Sequence, residues 1–227
     1  MKKSVTEVRT VSGLRHRLAC IENERRFNGR PYSAGRCPVP REWVGRGFFP
    51  GGDGLWRPFD QIHQPSHGNV SVSGVMFLGN DFGTVSGFQK GPRSVPTWRH
   101  LKRRIEESGI PVELAFFTNA IMGLREKGTA LKNINYQRDE PFLEFCLEFL
   151  EVQLDYLNPR LVVTLGKPAA MVFARLESVR PRTYEVFSSR LVQLTHPYGD
   201  FGLSNERLIS EIAKLKNAWN SAQVNAQ

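Results

Sequence analysis

CLEFLEVQLDYLNPRLVVTLGKPAA, residues 146–170, is the stretch from which the fold of this chain can be read. Leu143, Cys146, Leu147, Leu150, Leu154 and Leu157 recur at three- and four-residue spacing, which lines one side of a helix with apolar groups. Asn158 and Pro159 end that helix, because proline brings no N–H and its ring collides with the preceding turn. Residues 160–165 are then apolar on both faces, as a central strand of a parallel sheet requires. The run ends in a glycine-bearing turn, and Pro168 suits the first turn of another helix.

The same pattern extends outward in both directions. VMFLGNDFG (75–83), AFFTNA (115–120) and LVQLTHP (191–197) are also short apolar runs that end in a polar or glycine-bearing turn. Between them, Thr97 is placed to cap a helix with Trp98, Leu101 and Ile105 on its apolar face and Lys102, Arg103 and Arg104 in between. A strand is expected over residues 113–118, and GLREKGTALKNINYQRDE reads as a long loop. A strand over 190–194 precedes a last helix, capped by Ser204, with Leu208, Ile212, Leu215 and Trp219 on one face. Strands alternating with helices of this length predict an α/β protein, a three-layer α/β/α sandwich around a central four-stranded parallel sheet. The carboxyl ends of parallel strands share one edge, so the four turns meet at the crevice where open α/β folds bind ligands.

At 227 residues and 40% hydrophobic composition the chain suits one domain with an extension. Residues 1–70 are rich in Gly, Pro and Arg and carry no sustained period, so they read as an extension packed on an α/β domain of residues 71–227. Its aromatics, among them Tyr32, Trp43 and Trp56, alternate with arginines; they either stack on bases beside gripped phosphates or pack against the core. A formal charge of +9, from 31 basic and 22 acidic residues, favours a polyanionic partner, nucleic acid ahead of an anionic membrane. No apolar stretch is long enough to span a bilayer and the amino terminus lacks the apolar core of a secretory signal, so a cytoplasmic protein without membrane attachment is expected. Three widely spaced cysteines, Cys20, Cys37 and Cys146, with no CxxC pair, predict reduced thiols and no zinc site.

Three strand ends carry reactive groups. Asp81 lies in Gly79-Asn80-Asp81-Phe82-Gly83, a turn that is neither a Walker motif nor a dinucleotide fingerprint. A carboxylate there faces the crevice, or only bonds its own turn. Asn119 offers a donor and an acceptor together and can read a base edge, although asparagines also close turns. His196, fixed by Pro197, can donate to a developing anion, or serve a structural role. An acid, an amide and an imidazole at the ends of three strands of one sheet read as a site.

The ordered set GNDFG, FFTNAIMGLRE, CLEFLEVQLDYLNPRLVVTLGKPAA and LTHPYGDFG resembles the uracil-DNA glycosylase superfamily, over about two thirds of the chain. The resemblance implies a four-stranded parallel sheet between helices, and hydrolysis of the bond between a base and deoxyribose. Asp81 stands third in its motif, as does the water-promoting aspartate of the branch with Gly-Gln-Asp-Pro-Tyr; where the iron-sulfur branch has its acid, this chain has Asn80. Asn119 matches the asparagine that reads uracil, and His196 the histidine of the His-Pro-Ser motif that supports the leaving base. Phe82 replaces a proline and Tyr198 a serine, and Gly83 stands where strict uracil enzymes carry the tyrosine that excludes thymine. Cys146 lies near one cluster cysteine of the iron-sulfur branch, but a single thiol cannot hold a cluster bound by four, so no cluster, metal or other cofactor is expected.

The resemblance therefore implies Asp81 and His196 as catalytic residues. Gly79, Asn80, Asn119 and Gly83 would surround the base, with Phe82 or Phe88 stacking on it, and Lys167, Arg125 and Tyr198 would contact DNA. The expected protein is a monomer that extrudes uracil or a related damaged base from DNA and removes it. A DNA-binding protein without activity, and an enzyme for another base or a free nucleoside, are the alternatives.

Overall fold

The computed structural model describes residues 9–10, 13–14, 16–17, 36–38, 69–70, 73–81, 96–111, 114–121, 123–125, 140–179, 191–195 and 205–224. In chain order these give β1 (Arg9–Thr10), β2 (Arg36–Pro38), β3 (Asn69–Val70), β4 (Val75–Gly79), α1 (Pro96–Ser108), β5 (Ala115–Asn119), β6 (Gly123–Arg125), α2 (Glu140–Leu157), β7 (Leu161–Leu165), α3 (Lys167–Val179), β8 (Leu191–Leu194) and α4 (Asn205–Val224). The central sheet has four parallel strands in the order β5-β4-β7-β8.

Alternation along the strands sorts the core into two layers. Met76, Leu78, Phe116 and Val162 face α2 and α3, where they meet Leu147, Leu150, Leu154, Ala169 and Phe173. Val75, Phe77, Phe117, Val163, Leu165, Val192 and Leu194 face the other way, with Leu101 and Ile105 of α1 and Leu215 and Trp219 of α4. Phe77 and Phe117, opposite each other in the register, stack with centroids 5.3 Å apart. The sheet is thus covered on both sides, as its doubly apolar strands demand.

Connectivity positions the crevice. From β4 the chain passes through α1 to β5 on one side, then through α2 to β7 on the other side of β4. The helices that follow β4 and β7 lie on opposite faces, so the carboxyl ends of these two strands flank the switch point of the sheet. Asp81 and Gly166 follow those strands.

Several local expectations change in detail. Helix α1 starts at Pro96, so Thr97 is inside the helix rather than its cap; proline at the first helical position has no N–H to leave unpaired. Arg103 is exposed and pairs with Glu107 at 2.6 Å, whereas Arg104 is wholly buried. Ser204 lies outside the described residues. Asn158 takes up a left-handed conformation, φ 42°, and its N–H bonds Leu154 O at 2.7 Å, closing α2 where the sequence predicts.

Part of the loop that follows Asn119 is a strand. Residues 123–125 form β6, which pairs antiparallel with β2 from the amino-terminal segment, Cys37 opposite Leu124 and Arg36 opposite Arg125. A second tie joins that segment to α2: Thr10 N–H donates to Tyr156 Oη at 3.2 Å, and Tyr156 Oη donates back to Thr10 O at 3.1 Å. Leu14 is buried in the α2 layer, and the Arg17 guanidinium sits 5.1 Å from the Tyr156 ring centroid. No helix among the described residues is long and apolar enough to cross a membrane.

Candidate active site

The turns after β4 and β5 are built against each other. Gly79 and Asn119 are register partners, and the hydrogen bonds continue past the strands, from Ala120 N to Gly79 O and from Ile121 N to Asn80 O, both 2.8 Å. The Asn119 side chain lies over Gly79 so closely that a Cβ there would collide with Asn119 Oδ1. Glycine at position 79 is what leaves room for the amide. Asn119 is half-buried at this strand end.

Asp81 follows at the same edge, also half-buried. The Asn80 side chain beneath it is buried, and its Nδ2 donates to Asp81 Oδ2 at 3.2 Å. Asn80 therefore steadies the carboxylate, and the acid and the amide stand at adjacent strand ends. Gly79, Asn80, Asp81 and Asn119 are four of the expected site residues, and the fold brings them together.

Across the switch point, Gly166 exits β7 with φ 91° and its N–H bonds Leu194 O at 2.8 Å, linking this turn to the end of β8. Lys167, the first residue of α3, is exposed on the same edge. For Arg125 the strand β6 is described but not its side chain; Phe82, Gly83, Phe88, His196 and Tyr198 lie outside the described residues.

The residue before His196 is held by a group that sequence reasoning missed. Buried Arg104 donates from Nη1 to Thr195 O at 2.8 Å and from Nη2 to Thr195 Oγ1 at 3.2 Å, and its Nη1 is 3.0 Å from Glu211 Oε2. Glu211 accepts in turn from Thr195 N–H, at 2.9 and 3.1 Å. A buried charge is tolerable when paired and hydrogen-bonded in this way. The signal was available: Leu101, Arg104, Ile105 and Ser108 follow the spacing of a helix's inward face, and all four are buried.

Beneath the edge, Thr118 and Thr164 are both register partners of Leu78, and their buried hydroxyls have no hydrogen-bonding partner among the described residues. The Cys146 thiol is fully buried in the layer between α2 and the sheet and forms no disulfide.

The family model of the uracil DNA glycosylase superfamily matches residues 65–220, which include every element of the central sheet and the strand-end turns just described. The chain belongs to the uracil DNA glycosylase superfamily. No curated protein matches it. The superfamily assignment carries glycosylase chemistry on DNA in general terms, and it accounts for a parallel sheet whose carboxyl edge gathers an acid and an amide. The match begins at residue 65, so β1 and β2, which bond to β3 and β6, lie outside the matched residues.

Proposed function

We propose that this superfamily member is a DNA glycosylase that extrudes uracil, or a closely related damaged base, and hydrolyses its bond to deoxyribose. The observation that carries the reading is the packing of the Asn119 amide over Gly79, one strand away from a carboxylate steadied by Asn80. Uracil presents an N–H donor at N3 beside a carbonyl acceptor at C4, and cytosine reverses both. An amide held in one orientation favours the first pattern and leaves cytosine mismatched, and a lost polar match costs orders of magnitude in rate.

In this reading the C1′–N1 bond breaks with its electron pair passing to the base, and positive charge grows on the sugar. Asp81 stabilises that charge and orients the water whose oxygen bonds C1′, accepting its proton. His196 donates a hydrogen bond to O2 as negative charge accumulates on the departing base. Phe82 or Phe88 stacks on the extruded ring, and Lys167, Arg125 and Tyr198 hold the DNA. The pairing of β2 with β6 ties the amino-terminal segment to the loop that follows β5. Residues 1–70 would serve the domain of residues 71–227 as part of its DNA-binding face. The protein would act as a cytoplasmic monomer.

The test is alkaline strand scission of an end-labelled duplex carrying one uracil. Wild-type protein is expected to give a cleavable site, and Asp81→Asn and Asn119→Ala to lower its rate of formation by about 10²-fold or more. Binding of duplex DNA without base release from any deaminated or alkylated substrate would overturn the reading, and equal activity on free deoxyuridine would move it to a nucleoside hydrolase.

A further inference from the structure

We propose that Arg104 and Glu211 are positioning residues for the departing-base step, acting through Thr195 on His196. The inference rests on the glycosylase reading for the role of His196, but the clamp itself is visible in the fold.

Thr195 has three polar groups, and the pair engages all of them: the N–H by Glu211, the carbonyl and the hydroxyl by Arg104. A peptide unit is planar, so the carbonyl of Thr195 shares its plane with the nitrogen and Cα of the next residue. Fixing the N–H and the carbonyl together fixes both peptide planes that meet at Thr195, and therefore the point and direction from which residue 196 starts. Among the described residues β8 pairs with β7 alone, and its last carbonyl is already taken by Gly166 N–H. Beyond the end of β8, where the described ladder stops, α1 and α4 supply the clamp.

Packing does not require a guanidinium at position 104. Its layer is otherwise formed by Leu101, Ile105, Leu215, Trp219 and the apolar face of the sheet, where an apolar side chain would serve. What the charged pair adds is a fixed geometry at one peptide, and that peptide adjoins the imidazole assigned to the leaving group. Lys214 offers the contrast: it donates to Gln193 O at 2.8 Å from the exposed side of the same strand, two residues earlier, without touching Thr195.

Single-turnover release of uracil and of 5-fluorouracil from otherwise identical duplexes reads the proposal. Fluorine stabilises the departing anion, so 5-fluorouracil depends less on a donor at O2. Arg104→Met and Glu211→Gln are expected to slow uracil release by about 10- to 100-fold, the scale of a displacement near 1 Å, and 5-fluorouracil release several-fold less. Duplex affinity should stay within about twofold, and Lys214→Ala should resemble wild type on both bases. Thr195→Val removes only the hydroxyl contact, so it carries the same comparison should Arg104→Met fail to fold, with a smaller but still base-selective loss. Equal slowing on both bases in folded variants, or none, overturns the proposal. Should wild type release neither base, the glycosylase reading fails, and the clamp is judged from the His196 ring resonances in nuclear magnetic resonance titrations. They should shift in Arg104→Met and not in Lys214→Ala; unchanged resonances overturn it.

Discussion

Gly79→Ala separates the site from the fold. The backbone at Gly79 is outside the left-handed region, so alanine meets no conformational strain there. Apart from the Asn119 carboxamide, the nearest atom to an added methyl is Thr118 O at 3.6 Å, an ordinary contact. The obstacle is the Asn119 amide oxygen, which must retreat by about 1 Å to reach van der Waals distance. Because that oxygen ends a half-buried side chain, the relief is a swing of the amide, and the cost to stability falls at the low end of overpacking, about 1 kcal/mol. A reading group displaced by about 1 Å costs about 10²-fold in rate, or roughly 2.7 kcal/mol of transition-state stabilisation. Gly79→Ala should therefore lose far more activity than stability. Single-turnover uracil release and thermal melting measure the two. In an Asn119→Ala background the same substitution should change the rate little, since its effect runs through the amide. A wild-type rate in Gly79→Ala, or an undiminished further loss in the double variant, would refute the reasoning.

Three further expectations concern the frame of the site. Thr164→Val replaces a buried hydroxyl that has no described partner with a methyl of the same shape, and should raise stability by about 1 kcal/mol in denaturant unfolding; a loss would mean the hydroxyl is satisfied. Gly166→Ala should cost about 1–2 kcal/mol, because φ 91° strains any residue with a Cβ, and a melting temperature equal to wild type would contradict it. Burial raises the Glu177 carboxyl above its ordinary 4.5, so the folded chain holds this proton more tightly than the unfolded chain and is penalised where the group is ionised in both. Glu177→Gln should accordingly gain stability above the raised value and lose that advantage as pH falls below about 4.5. A gain confined to acid pH would reverse the assigned cause.

How much of this was legible in the sequence depends on the range of the interaction concerned. β4, β5 and β7 announce themselves because burial on both faces leaves the runs apolar but for Thr118 and Thr164, and Gly79, Asn119 and Gly166 mark the strand ends directly. Once the strands are parallel, Asp81 and Asn119 must share an edge, so their proximity also follows from local pattern. The pairing of β2 with β6 did not follow, since three residues are too few to display a period and the partner lies on the far side of β4 and β5 in the chain.

Arg104 is the more instructive case. Composition groups it with Lys102 and Arg103 as a basic run, while its spacing from Leu101 and Ile105 sets it on the inward face. Periodicity can say that such a charge is buried, but not what it grips, because Thr195 is 91 residues away and Glu211 lies beyond that. A buried charge at a core position is thus a legible question whose answer is tertiary. Here the answer points to the carboxyl end of β8, on the same edge of the parallel sheet as Asn119 and Asp81. Buried Gln153 and Ser108 also break the apolar pattern but bond carbonyls of their own helices, whereas Arg104 reaches another element, and Arg104→Met tests whether that reach serves the site.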